Sequence, residues 1–175
     1  MELKKQGIDL FIDDTAVIKR PHILSVGDHV AIDVGVYLST ETELGDYVHI
    51  APYTVVIGGE GAKLIMGHFS GISAGCKIIC GSDDFTEGLM NPQVPLEYKS
   101  VKFTTVTLED FTCVGVNSVV MPGVTMAIGS VVGAGSVLTK DTEPWTIYVG
   151  TPAKPVKLRD KTKILENAKK LGYKL

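Results

Sequence analysis

The chain has 175 residues, 45% of them hydrophobic, and a formal net charge of −3. That length suits one domain with a buried core, and the acid-leaning charge excludes a nucleic-acid surface, which requires a basic patch. No apolar run approaches the roughly 18 residues of a membrane-spanning helix.

The N-terminal stretch MELKKQGIDLFIDD interrupts its apolar residues with acids, so no secretory signal is read there and a cytoplasmic location is expected. From Val26 a different order begins. Every sixth residue is aliphatic: Val26, Ile32, Leu38, Leu44, Ile50 and Val56. Met66, Ile72 and Ile78 continue the series after four inserted residues around GGEGAK. Leu108, Val114, Val120, Met126, Val132 and Leu138 repeat it. Val, Ile, Leu and Met together number 54 of the 175 residues. A run of six therefore arises by chance about once in a thousand registers, which makes the period real. The residue four places on is small or β-branched after all of these but Val56, as at Val30, Thr54, Cys76, Ser118 and Ser136.

A period of six fits neither a helix nor a single strand. It fits a short strand followed by a corner, with the aliphatic residue inward and Gly or Asp permitting the turn. Three such units close a coil of 18 residues, which stacks Val26 on Leu44 and Val114 on Val132. One hexapeptide cannot bury its own apolar face, so stability comes from stacking. The coil is expected over about residues 17–141.

Residues 81–105, GSDDFTEGLMNPQVPLEYKSVKFTT, lose the period and are read as an extruded loop, long enough to be functional. Residues 142–175 begin as an extended, proline-containing segment. They end in DKTKILENAKKLGYKL, with Ile164, Ala168 and Leu171 on one helical side and Gly172 as a stop. This tail is expected to cap the open edge of the coil. The whole is a single domain. Cys76, Cys80 and Cys113 form no CxxC pair and have no histidine at zinc spacing, so they read as thiols in a reducing compartment and no metal is expected.

VGVNSVVMPGVTMAIGSVVGAGSVLTKD, followed by GTPAKPVKLR and preceded by the loop SDDFTEGLMNPQVP, resembles the hexapeptide-repeat acetyltransferases. The branch is that of the galactoside and maltose acetyltransferases and the sugar acetyltransferases of bacterial surface polysaccharides. The resemblance covers roughly residues 20–160. It implies an all-β fold: a left-handed parallel β-helix with an extruded loop and a short C-terminal α-helix. Left-handed winding is an exception to the usual rule for parallel crossovers. It also implies a homotrimer that binds acetyl-CoA between neighbouring chains and transfers its acetyl group to a sugar or nucleotide-linked sugar for lipopolysaccharide, O-antigen or capsule assembly. Carried over by position, backbone groups of Val116 and Ala134 meet the pantetheine arm. Thr139 and Lys140 meet the nucleotide end of CoA, and Lys154 and Lys157 its phosphates, where charge-assisted contacts are strong. Lysine stands where the family has arginine at both tail positions, which weakens bidentate phosphate recognition.

Acetyl transfer needs a base for the attacking group and donors for the oxyanion. The galactoside and maltose enzymes keep a histidine at the start of the loop, where this chain has Ser82 in GSDD. His49, in LGDYVHIAPY, precedes inward Ile50 and so points outward. The same VHIAP context occurs in N-acetyltransferases of nucleotide-linked amino sugars, whose usual base lies nine residues earlier, at the position of Thr40 here. His49 is thus read as the general base, with a cleft-lining contact or a structural role as the other readings. Asp83 and Asp84 are read as binding sugar hydroxyls, orienting His49 of a neighbouring chain, or receiving a proton from an amine; the bland alternative is a pair of solvated loop acids. His68 is read as outward, and His22 and His29 as surface residues.

Two other classes remain open: an acetyltransferase for a non-sugar small molecule, and a non-catalytic β-helix assembly protein. Zinc-binding relatives of the second class need three histidines around the cleft, and here only His49 and His68, 19 residues apart, have approximate spacing.

Overall fold

In the computed structural model, which describes residues 2–174, the chain winds as a three-sided parallel β-helix of the left-handed type. The first face stacks Phe11–Ile12, Ala31–Ile32, His49–Ile50, Gly71–Ile72, Cys113–Val114, Val131–Val132 and Thr146–Gly150. The second stacks Val17–Ile18, Tyr37–Leu38, Val55–Ile57, Lys77–Ile79, Val119–Val120 and Val137–Leu138. The third stacks Leu24–Val26, Glu41–Leu44, Lys63–Met66, Thr105–Leu108 and Thr125–Met126.

The register follows the six-residue rule. Val26 pairs with Leu44, Leu44 with Met66 across the inserted turn, and Val114 with Val132. Every aliphatic residue of the series is buried, and so are the small residues four places on, among them Thr54, Cys76 and Ser118, except Ser82 where the chain leaves the coil. Each buried aliphatic contributes on the order of 1.5–3 kcal/mol, and like side chains stack on like because successive coils repeat one cross-section.

The first strand lies ahead of the expected start. Phe11–Ile12 pairs in parallel with Ala31–Ile32. Counting back by sixes from Val26 meets Arg20 and Asp14, which hides this strand. The short 3-10 turn Pro21–Ile23 shifts the phase by two, so the earlier series is Ile12, Ile18 and Leu24.

The extruded segment has a stem. Gly81–Asp83 pairs antiparallel with Val101–Phe103, and the coil resumes at Thr105. Strands of three residues are too short to show an alternation.

The tail departs further from expectation. Tyr148 takes the place above Val132, and Ala153–Leu158 then folds back antiparallel on Thr146–Gly150, so a strand rather than a helix closes the first face. The helix Thr162–Lys170 lies against the corner between the third and first faces. Ala168 is its buried residue, and Leu171, expected on the same side, is 60% exposed.

That corner carries an aromatic ladder that the hexapeptide series does not reveal. His29, Tyr47, Phe69, Phe111 and Trp145 all have positive φ, 53° to 62°, and stack at centroid separations of 4.6, 4.7, 5.2 and 5.9 Å. A non-glycine residue in this region costs roughly 1–2 kcal/mol, and each stacked pair returns about 0.5–1.5 kcal/mol. Tyr173 sets its ring edge-on to Phe69 and Phe111 and donates its hydroxyl proton to Asp110, which clips the helix to the ladder.

Candidate active site

His49 stands outward on the first face, between Ala31 of the preceding coil and Gly71 of the following one. Glycine above it leaves the ring room. Its Nε2 lies 2.7 Å from Asp33 Oδ2. With the carboxylate ionised, Nε2 carries the proton and Nδ1 presents a lone pair to solvent. The side chain is 55% exposed. Sequence reading missed Asp33, although coil arithmetic holds the signal: Ala31 lies beside His49, and Asp33 is the next outward position. In the same column as Asp33, Ala51 and then Ser73 follow at successive coils. Thr40, at the position matched to the base of the amino-sugar N-acetyltransferases, is buried and bonded to Thr42.

Ser82, Asp83 and Asp84 leave the coil just past the second-face strand Lys77–Ile79, at the root of the hairpin. Ser82 and Asp83 line a recess of about 320 Å³ with Ile57, Gly58, Ile79, Gly81 and Val101. Asp83 is 3.5 Å from Lys99, which leaves it a loosely paired acid beside that space. Asp84 is committed elsewhere. It accepts hydrogen bonds from the Thr86 hydroxyl at 2.6 Å and the Thr86 amide at 3.0 Å, and lies 2.5 Å from Lys102 Nζ. These contacts, Lys102 first, hold its carboxyl well below the usual range, so Asp84 pins the hairpin and takes up no proton near neutrality. The two acids that read alike in sequence therefore part company: Asp83 faces the recess and Asp84 the stem.

The residues matched to CoA gather at the C-terminal end of the coil. Val116 and Ala134 lie in register on the corner between the first and second faces, and both are exposed. The Val116 carbonyl already accepts from Gly135, whereas neither backbone group of Ala134 has a partner among the described residues. Thr139 and Lys140 are exposed just past the last strand of the second face, and Lys154 and Lys157 on the strand that closes the first face. From the strand of His49 to that closing strand is five steps of sheet, about 24 Å at the usual strand spacing. Sequence reading did not single out Arg159, whose Nη1 donates to the carbonyls of Phe111 and Gly129 and fixes the tail to the aromatic corner.

The histidines do not converge. His68 Nδ1 accepts the Asp46 amide at 2.9 Å on the aromatic corner, His29 is 2.8 Å from Asp9, and His49 turns to Asp33. Among the described residues no three metal-ligating side chains cluster. Burial pushes the Cys80 thiol up to about 12 and raises that of Cys76, which makes both poor nucleophiles. Among the described residues no helix is long and apolar enough to cross a membrane.

No family model matches the chain. It is 34% identical over 170 residues, 95% of its length and 87% of the relative's, to the dTDP-4-amino-4,6-dideoxy-D-glucose acyltransferase of Escherichia coli. It is 28% identical to a putative lipopolysaccharide biosynthesis O-acetyl transferase of E. coli K12, over 76% of this chain and 66% of that one. Among solved structures, an N-acyltransferase from Bacillus cereus in complex with dTDP and coenzyme A superposes with a TM-score of 0.91, at 34% identity over 98% of this chain and 94% of that one. A maltose O-acetyltransferase from Clostridium difficile, at 19% identity, 90% and 71% coverage and a TM-score of 0.61, shares the fold. With a β-helix of hexapeptides, an exposed carboxylate-paired histidine and an extruded hairpin, the chain belongs to the hexapeptide-repeat acyltransferases and is an acyltransferase.

Proposed function

We propose that this protein transfers the acetyl group of acetyl-CoA to the amino group of a nucleotide-linked amino sugar. The product would serve surface-polysaccharide assembly in the cytoplasm, and the working form is a homotrimer. The observation that carries the reading is the Asp83 recess at the hairpin root, in a chain aligned almost end to end with an aminosugar acyltransferase. The B. cereus N-acyltransferase has been crystallised with its 4-amino-4,6-dideoxyglucose nucleotide and coenzyme A, and with dTDP and 3-hydroxybutyryl-CoA. Its structures include variants of one aspartate and of a serine ten positions before it. This chain repeats that spacing at Ser73 and Asp83, and at Ser100 and Asp110. Asp110 is consumed by the His68 amide and the Tyr173 hydroxyl, which favours Ser73 and Asp83.

In the reaction the amine nitrogen attacks the thioester carbonyl, the carbon–sulfur bond breaks, and CoA leaves as thiolate. The proton lost by nitrogen goes to His49 Nδ1, while Asp33 holds the ring and stabilises its cation. Asp83 receives the amine and orients it. The Val116 and Ala134 corner carries the pantetheine arm, and Thr139, Lys140, Lys154 and Lys157 hold the nucleotide and phosphates of CoA. His49 and Asp83 sit on different faces, so one copy's first face must meet the next copy's second face, a contact that closes into a ring. The exposed apolar side chains of the hairpin, Phe85 at 77% and Leu96 at 81%, are accounted for by that contact.

The test is an acceptor panel. Acetyl-CoA with a dTDP-linked 4-amino sugar should release free CoA and give an amide by mass spectrometry, whereas maltose and serine should release none. CoA release with hydroxyl acceptors alone would refute the reading.

A further inference from the structure

The recess at the hairpin root does not end at Asp83. The outward residues that follow Ile18, Leu38, Val56 and Ile78 on the second face are Lys19, Ser39, Ile57 and Ile79, in register at successive coils. Ile57 and Ile79 floor the Asp83 recess. Beyond them a second cavity, of about 500 Å³, is lined by Lys19, Arg20, Tyr37, Ser39 and Gly59. Gly58 lines the first cavity and its neighbour Gly59 the second, and three strand steps, about 14 Å, separate Ile79 from Lys19.

The chemistry of the two ends differs. Neither Lys19 nor Arg20 has an acid partner among the described residues. Lys19 Nζ sits 5.8 Å from the centroid of the Tyr37 ring. Arg20 Nη1 donates to the Ser39 carbonyl at 2.7 Å, which fixes the guanidinium and leaves its other donors free. Gly59, at φ 75°, has nothing within 4 Å of where a Cβ would lie. The amides of Gly59, Glu60 and Gly61 donate to no acceptor among the described residues, and Glu60 itself is exposed. Two unpaired cations, free backbone donors and an aromatic face suit a diphosphate joined to a planar base.

We propose that Lys19, Arg20, Tyr37 and the Gly58–Gly61 turn hold the nucleoside diphosphate of the acceptor, with the sugar lying over Ile57 and Ile79 so that its amine reaches Asp83. This rests on the acceptor being nucleotide-linked. The diphosphate meets Lys19 and Arg20, and the base stacks on Tyr37. The apolar floor at Ile57 and Ile79 suits a sugar with a deoxygenated, methyl-bearing edge better than a fully hydroxylated one.

Calorimetric titration of the intact protein with dTDP, and separately with inorganic pyrophosphate, tests the assignment. Lys19 is exposed, so Lys19→Met should melt like wild type and raise the Kd for dTDP at least about tenfold, the effect of losing one charge-assisted contact. It should also flatten the salt dependence. Tyr37→Leu should weaken dTDP while leaving pyrophosphate unchanged. The KM for acetyl-CoA should stay the same in both. If dTDP binds wild type and both variants within twofold, the cradle lies elsewhere and the transfer reaction still stands. If wild type acetylates the amino sugar but binds neither probe, the assignment is equally overturned. If dTDP binds through Lys19 and Tyr37 while no amine is acetylated, the cradle holds and the proposed reaction falls.

Discussion

At the scale of single residues, the division of labour proposed for His49, Asp83 and Asp84 rests on what each touches. His49 has one partner, Asp33, and an open second nitrogen. His49→Ala should lower turnover roughly 10²–10⁴-fold, the usual contribution of a positioned base, and leave acetyl-CoA binding intact. Steady-state kinetics on His49→Ala, Asp83→Asn and Asp84→Asn check this together: the first two should be impaired, the third should not. A loss below threefold for His49→Ala would move the base to Asp83. Lys140→Glu should raise the KM for acetyl-CoA more than it lowers turnover, because binding at the remote nucleotide end is nearly equal in ground and transition states. An unchanged acetyl-CoA dependence would place that end elsewhere. The outward position of His49 was legible from the phase of Ile50. Its partner was not, because Asp33 is adjacent only after the chain has closed a coil. Asp83 and Asp84 were indistinguishable as a dipeptide, since Lys99, Lys102 and Thr86 decide their roles from across the hairpin.

At the scale of elements, the coil was readable because each hexapeptide solves the same packing problem. Where the phase shifts at Pro21–Ile23 a period count loses the thread, whereas across the insertion around Gly58–Gly61 the series is picked up again at Met66. The terminal helix shows the limit of helical spacing as a guide: Ala168 is buried as the pattern requires, but the helix docks on an aromatic ladder whose successive members lie 18 to 42 residues apart. Tyr173 makes that docking pH-sensitive. Burial, then the bond to Asp110, pushes its phenol up to about 12. A group whose folded pKa is raised contributes stability that is present below its unfolded value near 10 and lost as pH rises through the folded one. Amide exchange in Thr162–Lys170 should therefore accelerate between about pH 10 and 12 in wild type. In Tyr173→Phe the helix should be looser at neutral pH and lack that alkaline step; identical profiles would contradict the clip.

At the scale of the whole molecule, the inner column is intolerant of charge. Val132 is fully buried between Val114 and Tyr148, so Val132→Asp places an unpaired carboxylate in the stack. The idealised penalty exceeds a total stability of roughly 5–15 kcal/mol, and the variant should not fold to soluble protein. A wild-type melting curve would show the register to be wrong.

In the proposed mechanism one site draws His49 from one copy and Asp83 from the next. Subunit mixing tests it most directly. His49→Ala and Asp83→Asn, each nearly inactive alone, are co-refolded in equal amounts and assayed with acetyl-CoA and the dTDP-linked amino sugar. Half the chains then supply an intact His49 and half an intact Asp83, so turnover should recover to about a quarter of wild type in a closed ring. No recovery from a mixture shown by sedimentation to contain hybrid trimers, or a fully active monomer, would contradict the shared site.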